Sequence, residues 1–184
     1  MFLGKNIKIR PMEDSDLLLK NKWINDVEIN KTLLFDYPFS LSETKEWFKR
    51  TFFKRNRWDF IIEETKTNKV IGMTGLININ LRHRNSQFFI TIGEKEFWGK
   101  GYSREVIPLV LKFGFLELGL EKIYLYTLED NLKARTIYEK LGFKQEAYKI
   151  NEYFIHGELK NLYHHAMLKS EFEKYLNQNK YDYI

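Results

Sequence analysis

Alternating apolar and polar positions recur in short segments of the chain and predict a series of β-strands. Ile7 and Ile9 alternate with basic residues near the start, and Ile77 and Ile79 alternate with asparagines further on. A turn at 67–69 joins two of these segments into an antiparallel hairpin. The seven predicted strands cover residues 5–10, 58–64, 70–80, 88–93, 122–128, 143–154 and 161–168.

Helical periodicity is clearest after residue 131, where apolar positions from Ala134 to Leu141 recur at i, i+3, i+4 and i+7. Asn131 is a suitable N-cap for this helix, and Gly142 a suitable end. A second helix is predicted to begin near Ser42 as its N-cap, whereas residues 26–41 show no clear period. The remaining predicted helices cover residues 14–25 and 105–118 and run from residue 170 onward.

The composition is that of a globular protein. Of the 184 residues, 43% are hydrophobic and 30% charged, which separates the chain from disordered and fibrous classes. This length, without repeats or a Pro/Ser-rich linker, suits one domain spanning residues 1–184.

Several function classes are excluded by residues that are missing. The chain has no cysteine, so it has no disulfide, thiolate metal site or cysteine nucleophile. The four histidines, His83, His156, His164 and His165, lack a metal-ligand spacing, and we expect no metal. No apolar run suits a signal peptide or a membrane helix of ~18 residues, so we expect a cytoplasmic protein without a membrane partner.

The charge balance leaves two kinds of ligand open. A net charge of +5 is compatible with nucleic acid and equally with a small polyphosphate. The basic aromatic segment 54–58 and the basic turn 82–84 keep a nucleic-acid-binding module as an alternative. No recognised nucleic-acid motif accompanies them, so we expect no nucleic-acid partner.

A glycine-bearing loop between a predicted strand and a predicted helix is the first candidate for chemistry. Gly99 and Gly101 let the backbone approach a ligand at the positive end of the helix dipole, and Lys100 and Arg104 add positive charge. The pattern favours a pyrophosphate, although an ordinary tight turn explains these residues equally well. It lacks the Gly-Lys-Ser/Thr ending of a P-loop and the third glycine of a dinucleotide fingerprint.

This loop resembles part of a known cofactor site. Residues 92–103, with Trp98-Gly99-Lys100-Gly101-Tyr102, and residues 131–143 together resemble the acetyl-CoA site of the GNAT N-acetyltransferases. Within that superfamily, the segment 153–161 resembles the branch of ribosomal-protein N-terminal acetyltransferases and spermidine acetyltransferases. The resemblance implies a single α/β (α+β) domain with a mixed, mostly antiparallel sheet of about seven strands, helices on both faces and a splayed cofactor cleft.

The resemblance also implies acetyl-CoA as cosubstrate and direct transfer of its acetyl group to a primary amine. The loop amides would hold the pyrophosphate of CoA, the backbone before the loop would pair with its pantetheine arm, and Gly93 would suit a bulge there. The residues implied as cofactor contacts are Ile92, Gly93, Glu94, Gly99, Lys100, Gly101, Tyr102, Ser103, Arg104, Asn131 and Tyr138.

Tyr138 resembles the family tyrosine that protonates the leaving thiolate, although its spacing alone is that of a core residue. At the position where the family often carries a glutamate base, this chain has Gln87, which orients a water or an amine but accepts no proton. Glu94 is a substitute base or a solvated charge, and loss of the amine proton to solvent is a third route. A CoA-binding sensor without catalysis therefore stays open.

The acceptor is predicted more coarsely, as a protein N-terminus or a small molecule such as a polyamine, amino sugar or aminoglycoside. Basic residues around 49–57 and 82–84 favour a protein N-terminus or an amine that carries an anionic group. The resemblance allows a homodimer. Candidate acceptor-lining residues are Trp23, Phe35, Tyr37, Trp47, Trp58, Arg82, His83, Arg84, Tyr153 and His156.

Overall fold

Strand formation follows the alternating pattern, with one strand more than predicted. The computed structural model describes residues 1–34, 38–52, 54, 56–155 and 157–179. The strands are β1 (Phe2–Leu3), β2 (Ile7–Pro11), β3 (Trp58–Glu64), β4 (Val70–Asn80), β5 (Asn85–Ile92), β6 (Lys122–Leu128), β7 (Lys144–Ile155) and β8 (Glu158–Leu168). The additional strand, β1, has two residues, which is too short for alternation to reveal.

All eight strands belong to one mixed sheet in the order β1-β2-β3-β4-β5-β6-β8-β7. Six of the seven pairings between described residues are antiparallel, and β5 pairs with β6 in parallel. Because β8 lies between β6 and β7, β7 is an edge strand and Tyr126 of β6 lies opposite His164 of β8. The predicted fold class is confirmed, with eight strands in place of seven.

The helices are α1 (Leu17–Asn25), α2 (Val27–Asn30), α3 (Leu41–Phe52), α4 (Tyr102–Lys112), α5 (Leu132–Lys140) and α6 (Lys169–Asn179). A π-helical turn at Phe113–Glu117 extends α4. None of the described helices is long and apolar enough to cross a membrane.

Capping side chains decide the starts of α3 and of the short helix α2, which the hydrophobic pattern does not place. Ser40, not Ser42, caps α3: its hydroxyl accepts the Glu43 amide at 3.1 Å, and the Glu43 carboxylate accepts the Ser40 amide at 2.7 Å. In the segment without a clear period, Asp26 accepts the amides of Glu28 and Ile29 and starts the one-turn helix α2.

Helices cover both faces of the sheet. Adjacent residues of a strand point to opposite faces, so Ile62 of β3 packs in one core and Ile61 in another. The first core contains Val106 of α4, Tyr138 of α5 and Phe172 of α6, and we call this side the α4 face. The opposite side, covered by α1 to α3, is called the α1 face.

Candidate active site

A slit opens in the sheet between β5 and β6. The two strands are paired from Asn85 with Lys122 as far as Gln87 with Tyr124, and no pairing between them is found in the described residues beyond that point. Parallel strands that diverge leave backbone groups free to pair with an extended ligand. The slit is the cleft that the sequence resemblance implied.

The glycine loop leads from the open end of the slit into α4. Gly99 and Gly101 have φ values of 74° and 85°, which disfavour other residues, and a Cβ atom at either position would meet nothing within 4 Å. The amides of Tyr102 and Ser103 have no hydrogen-bond partner in the described part of the chain. Open space, free amides and the N-terminus of an eleven-residue helix together form an anion site.

The backbone before the loop is fixed by two tryptophans. Trp98 donates its indole N–H to the Ile92 carbonyl at 2.7 Å, which folds the loop back onto the end of β5. A Cβ atom at Gly93 would lie 2.1 Å from the Trp23 ring, so this glycine permits the close approach of α1. The amides of Gly93 and Glu94 both donate to the Ile71 carbonyl, at 2.8 Å and 3.1 Å, so two residues oppose one, and the bulge predicted at Gly93 is confirmed.

Asn131 lies at the start of α5. Its Oδ1 accepts the Ala134 amide at 3.2 Å, which confirms the predicted N-cap. Its Nδ2 group has no partner among the described residues and stays available as a donor. The predicted contact with the cofactor remains a prediction.

Tyr138 reaches the slit from the α4 face. Its ring meets Phe88 edge-on at 6.3 Å and Phe143 at 5.7 Å between centroids, and the residue is 8% exposed. The hydroxyl has no hydrogen-bond partner in the described residues, yet it is not among their fully buried unpartnered atoms. Burial raises the pKa of Tyr138, so the phenol stays protonated at neutral pH and is able to donate.

Gln87 points to the opposite face, because Phe88 next to it packs in the α4-face core with Tyr138. Its Oε1 accepts a hydrogen bond from Asn78 at 3.1 Å. Tyr124, the last residue of β6 that is paired with β5, lies directly across from Gln87. Asn78 thus fixes the Gln87 side chain beside Tyr124 at the closed end of the slit.

Glu94 lies far from Gln87 and the closed end of the slit. The five residue-to-residue steps from Gln87 to Ile92 alone span roughly 17 Å at about 3.3 Å per step. Its carboxylate accepts the Trp23 indole at 2.9 Å and the Lys22 ammonium at 3.1 Å. Burial opposes ionisation, but Trp23, Lys22 and Lys69 outweigh it and lower the pKa of Glu94. The structure therefore does not bring Glu94 together with Tyr138, and its role as a base stays an untested and disfavoured prediction.

Comparison with known proteins decides the family. A family model described as an acetyltransferase (GNAT) domain matches residues 6–144. The chain belongs to the GNAT acetyltransferase family. Spermidine N(1)-acetyltransferase of Vibrio cholerae is 32% identical over 181 residues, which cover 96% of this chain and 99% of that protein.

Two solved structures support the same assignment. The crystal structure of the Vibrio cholerae spermidine N-acetyltransferase in complex with CoA and spermine has a TM-score of 0.88 and 29% identity, over 92% of this chain and 99% of that one. A dodecameric structure of that enzyme has a TM-score of 0.81 and 31% identity, over 96% and 99%. This GNAT chain is an acetyl-CoA-dependent N-acetyltransferase, and the predicted activity and cosubstrate are confirmed.

The predicted acceptor-lining residues of this GNAT chain do not form one surface. Trp23 of α1 is fully buried, and Trp58 stacks on Phe60 of the α4 face. Trp47 of α3 lies under the Lys20 ammonium, 4.4 Å from its ring centroid. The Arg84 guanidinium forms an ion pair with the Glu121 carboxylate, 2.9 Å apart, beside the closed end of the slit.

The other predicted acceptor-lining residues are exposed or undescribed. Arg82 and His83 are exposed on the β4–β5 turn, and Tyr153 is exposed on the edge strand β7. Phe35, Tyr37 and His156 lie outside the described residues.

Sequence reasoning missed a group on the α1 face that we call the aromatic wall, formed by Tyr124, Tyr126 and His164. Ring centroids are 5.7 Å apart for the two tyrosines, and His164 lies 5.3 Å from Tyr124 and 5.0 Å from Tyr126. The alternation of β6 carried the signal, but the neighbour of β6 in the sheet could not be read from it. No group of acidic residues and histidines that could hold a metal occurs in the described part of the chain.

Proposed function

We propose that this enzyme acetylates a small primary amine, with polyamines of the spermidine type as the first candidates. The similarity to spermidine acetyltransferases extends over nearly the whole of both chains, which supports the small-amine alternative over a protein N-terminus. The basic residues that favoured a protein N-terminus lie partly in local ion pairs, such as Arg57 with Asp59 at 2.5 Å.

The observation that carries the proposed mechanism is the Tyr138 hydroxyl on one face of the slit, without a hydrogen-bond partner among the described residues, with Gln87 on the other face. The amine nitrogen attacks the thioester carbonyl carbon from the α1 face, and the carbon–sulfur bond breaks. Tyr138 gives its proton to the leaving thiolate and regains one from solvent. The nitrogen releases a second proton to solvent as the carbon–sulfur bond breaks, which balances the proton that Tyr138 regains. The products are the acetamide, free CoA and the one proton that the ammonium lost before attack.

Gln87 is a positioning residue in this proposal. Its Oε1 is engaged by Asn78, which directs its Nε2 group toward the slit as a donor for a water or for the substrate. The amine loses its proton to solvent before attack, because a glutamine accepts none. Orientation of the amine at the thioester is then the main contribution of this face.

The cofactor contacts are proposed from the loop geometry. The free amides near Tyr102 and Ser103 bind the pyrophosphate, with Lys100 and Arg104 exposed beside them. Asn131 Nδ2 and the backbone at Ile92 and Gly93 approach the pantetheine arm. Glu94 fixes α1 to this backbone through Trp23.

The domain number, the cellular location and the oligomeric state are proposals as well. We propose one domain over residues 1–184, a cytoplasmic location and a homo-oligomer. The single eight-stranded sheet supports the first, and the dodecamer of the Vibrio cholerae relative supports the last. The exposed side chains of Ile150, Phe154 and Leu159 on the β7–β8 hairpin provide an apolar surface for such contacts.

The test is acetyl transfer by the purified protein. Thiol release from acetyl-CoA is measured with spermidine, n-butylamine and an alanyl peptide, and the products are identified by mass spectrometry. We expect acetylated spermidine at the highest kcat/KM. Turnover of the peptide alone, or thiol release equal to that in buffer, would contradict the proposal.

A further inference from the structure

Tyr126 is the first residue of β6 beyond the part paired with β5 whose side chain points to the α1 face. Tyr124 is the last residue of β6 paired with β5, and Tyr126 is the next residue of the strand that points to the same face. Tyr126 packs against a small buried cluster formed by Leu128, Ile155 and Leu162, and Leu34, which follows α2, packs against the same cluster. It therefore lies beside the open part of the slit, on the face from which the proposed mechanism brings the amine.

One face of the Tyr126 ring already carries an ammonium group. The Nζ atom of Lys149 lies 5.0 Å from the ring centroid. The same Nζ donates to the Glu152 carboxylate at 2.6 Å. The raised pKa of Lys149, caused first by Glu152, keeps this group charged.

A bulge in β7 brings Glu152 and Lys149 close together. The β7–β8 register shifts between Lys149 and Tyr153, and Asn151 in this bulge has a φ of 53°. The Asn151 amide donates to Asn161 Oδ1 of β8 at 2.8 Å, which fixes the bulge to its neighbour strand. The bulge turns Glu152 back toward Lys149, and an aromatic face and a carboxylate meet at one point.

An aromatic face beside a carboxylate is a binding site for an alkylammonium ion. We infer that Tyr126 and Glu152 form an ammonium subsite for the acceptor, occupied in the free enzyme by the side chain of Lys149. A polyamine with one nitrogen at the thioester has a second, charged nitrogen within reach of Tyr126. It displaces Lys149 to bind there, so Lys149 sets the selectivity between diamines and monoamines.

This inference rests on the proposed amine acceptor, and its test separates the two. Lys149→Met removes the internal ammonium and keeps the apolar stem over the ring, whereas Lys149→Arg retains the charge. For Lys149→Met we expect a KM for spermidine about threefold to tenfold lower than in the wild type, with kcat little changed. Lys149→Arg keeps a KM close to that of the wild type.

A matched control lies on the same strand. Lys144 pairs with Glu171 at 2.5 Å, away from the aromatic wall, and Lys144→Met changes the net charge by the same amount. A similar fall of KM in Lys144→Met would show a general charge effect and overturn the subsite. An unchanged KM in Lys149→Met, with the fold intact by circular dichroism, would overturn it as well.

Direct binding makes the inference independent of turnover. Calorimetric titration with spermidine is expected to give a Kd several-fold lower for Lys149→Met than for the wild type, and a higher Kd for Glu152→Gln. Equal Kd values for all three proteins would overturn the subsite. Failure of the proposed function has a different signature, because CoA then still binds but no variant yields acetylated spermidine.

Discussion

The two faces of the slit are built from different kinds of contact. On the α4 face the proposed cofactor side consists of a short loop, the end of one helix and Tyr138, all within residues 93–143. On the α1 face the proposed acceptor side joins Asn78, Gln87, Tyr126 and Lys149 from four strands. The cofactor side is therefore encoded locally, and the acceptor side depends on strand order.

The largest effect is expected where the two faces are joined, at the contact between Gly93 and Trp23. Gly93→Ala places a Cβ atom about 2 Å from the Trp23 ring, and we expect the free energy of unfolding to fall by about 3 kcal/mol. Urea denaturation measures this change. The double variant Trp23→Phe/Gly93→Ala has a smaller ring, and it should lose less than the two single variants added together. Strict additivity would argue against a steric cause.

The conformation of the glycine loop at Gly101 is expected to affect CoA binding more than overall stability. Gly101→Val puts a branched side chain at a φ of 85°, and we expect the CoA Kd to rise about thirtyfold, since the left-handed conformation costs about 2 kcal/mol. Gly157→Val is the matched control, because its φ is 81° and its surroundings are equally open. Calorimetry should show unchanged CoA affinity for that control. Equal weakening in both variants would remove the loop from the cofactor site.

The local encoding explains what the sequence could predict. The cap at Asn131, the end of α5 near Gly142 and the glycine loop are each decided within a few residues, and the structure places them as expected. The family resemblance identified the slit because its two motifs flank it.

The aromatic wall and its surroundings depend on which strands pair with each other across the sheet. Sequence order suggests that β7 follows β6 in the sheet, whereas β8 takes that place and brings His164 against Tyr126. Alternation shows which residues share a face of one strand, but not which strand lies beside it. The aromatic wall and the Lys149 contact could therefore not be derived from the pattern.

On the acceptor side, Gln87→Glu restores the glutamate that the family often carries and tests whether removal of the amine proton limits the rate. A glutamate keeps an oxygen for the hydrogen bond from Asn78 and adds a group that accepts the ammonium proton. We expect kcat/KM for spermidine at pH 7 to rise at least about tenfold, with a smaller gain near the pKa of the amine. Gln87→Ala should lower it across the whole pH range. No gain in Gln87→Glu would show that proton removal does not limit the reaction.

The smallest predicted effect contrasts two adjacent histidines. His165 is fully buried on the α4 face, and neither ring nitrogen has a hydrogen-bond partner among the described residues. Burial lowers its pKa. The folded state thus disfavours the charged form, and stability falls as the pH drops below about 6.5, where the unfolded chain takes up a proton. Glu139, 3.8 Å away, and Arg135 are the charged groups that face it.

His165→Leu removes that proton uptake. Between pH 7 and pH 5 the wild type should lose about 1 kcal/mol more of its unfolding free energy than the variant. Urea denaturation at both pH values measures the difference. Parallel losses in the two proteins would assign the pH dependence elsewhere, for example to His164, which faces Glu146 on the other side of the sheet.

The arrangement of the slit is tested most directly by Tyr138→Phe, with CoA affinity and turnover measured on the same preparation. The hydroxyl has no hydrogen-bond partner in the described residues, so its removal should leave the packing and the CoA Kd within about threefold of the wild type. The kcat for spermidine acetylation should fall about 100-fold, because the thiolate then leaves without a proton donor. An unchanged kcat, or a loss of CoA binding in step with kcat, would contradict the role of Tyr138 as the acid at the slit.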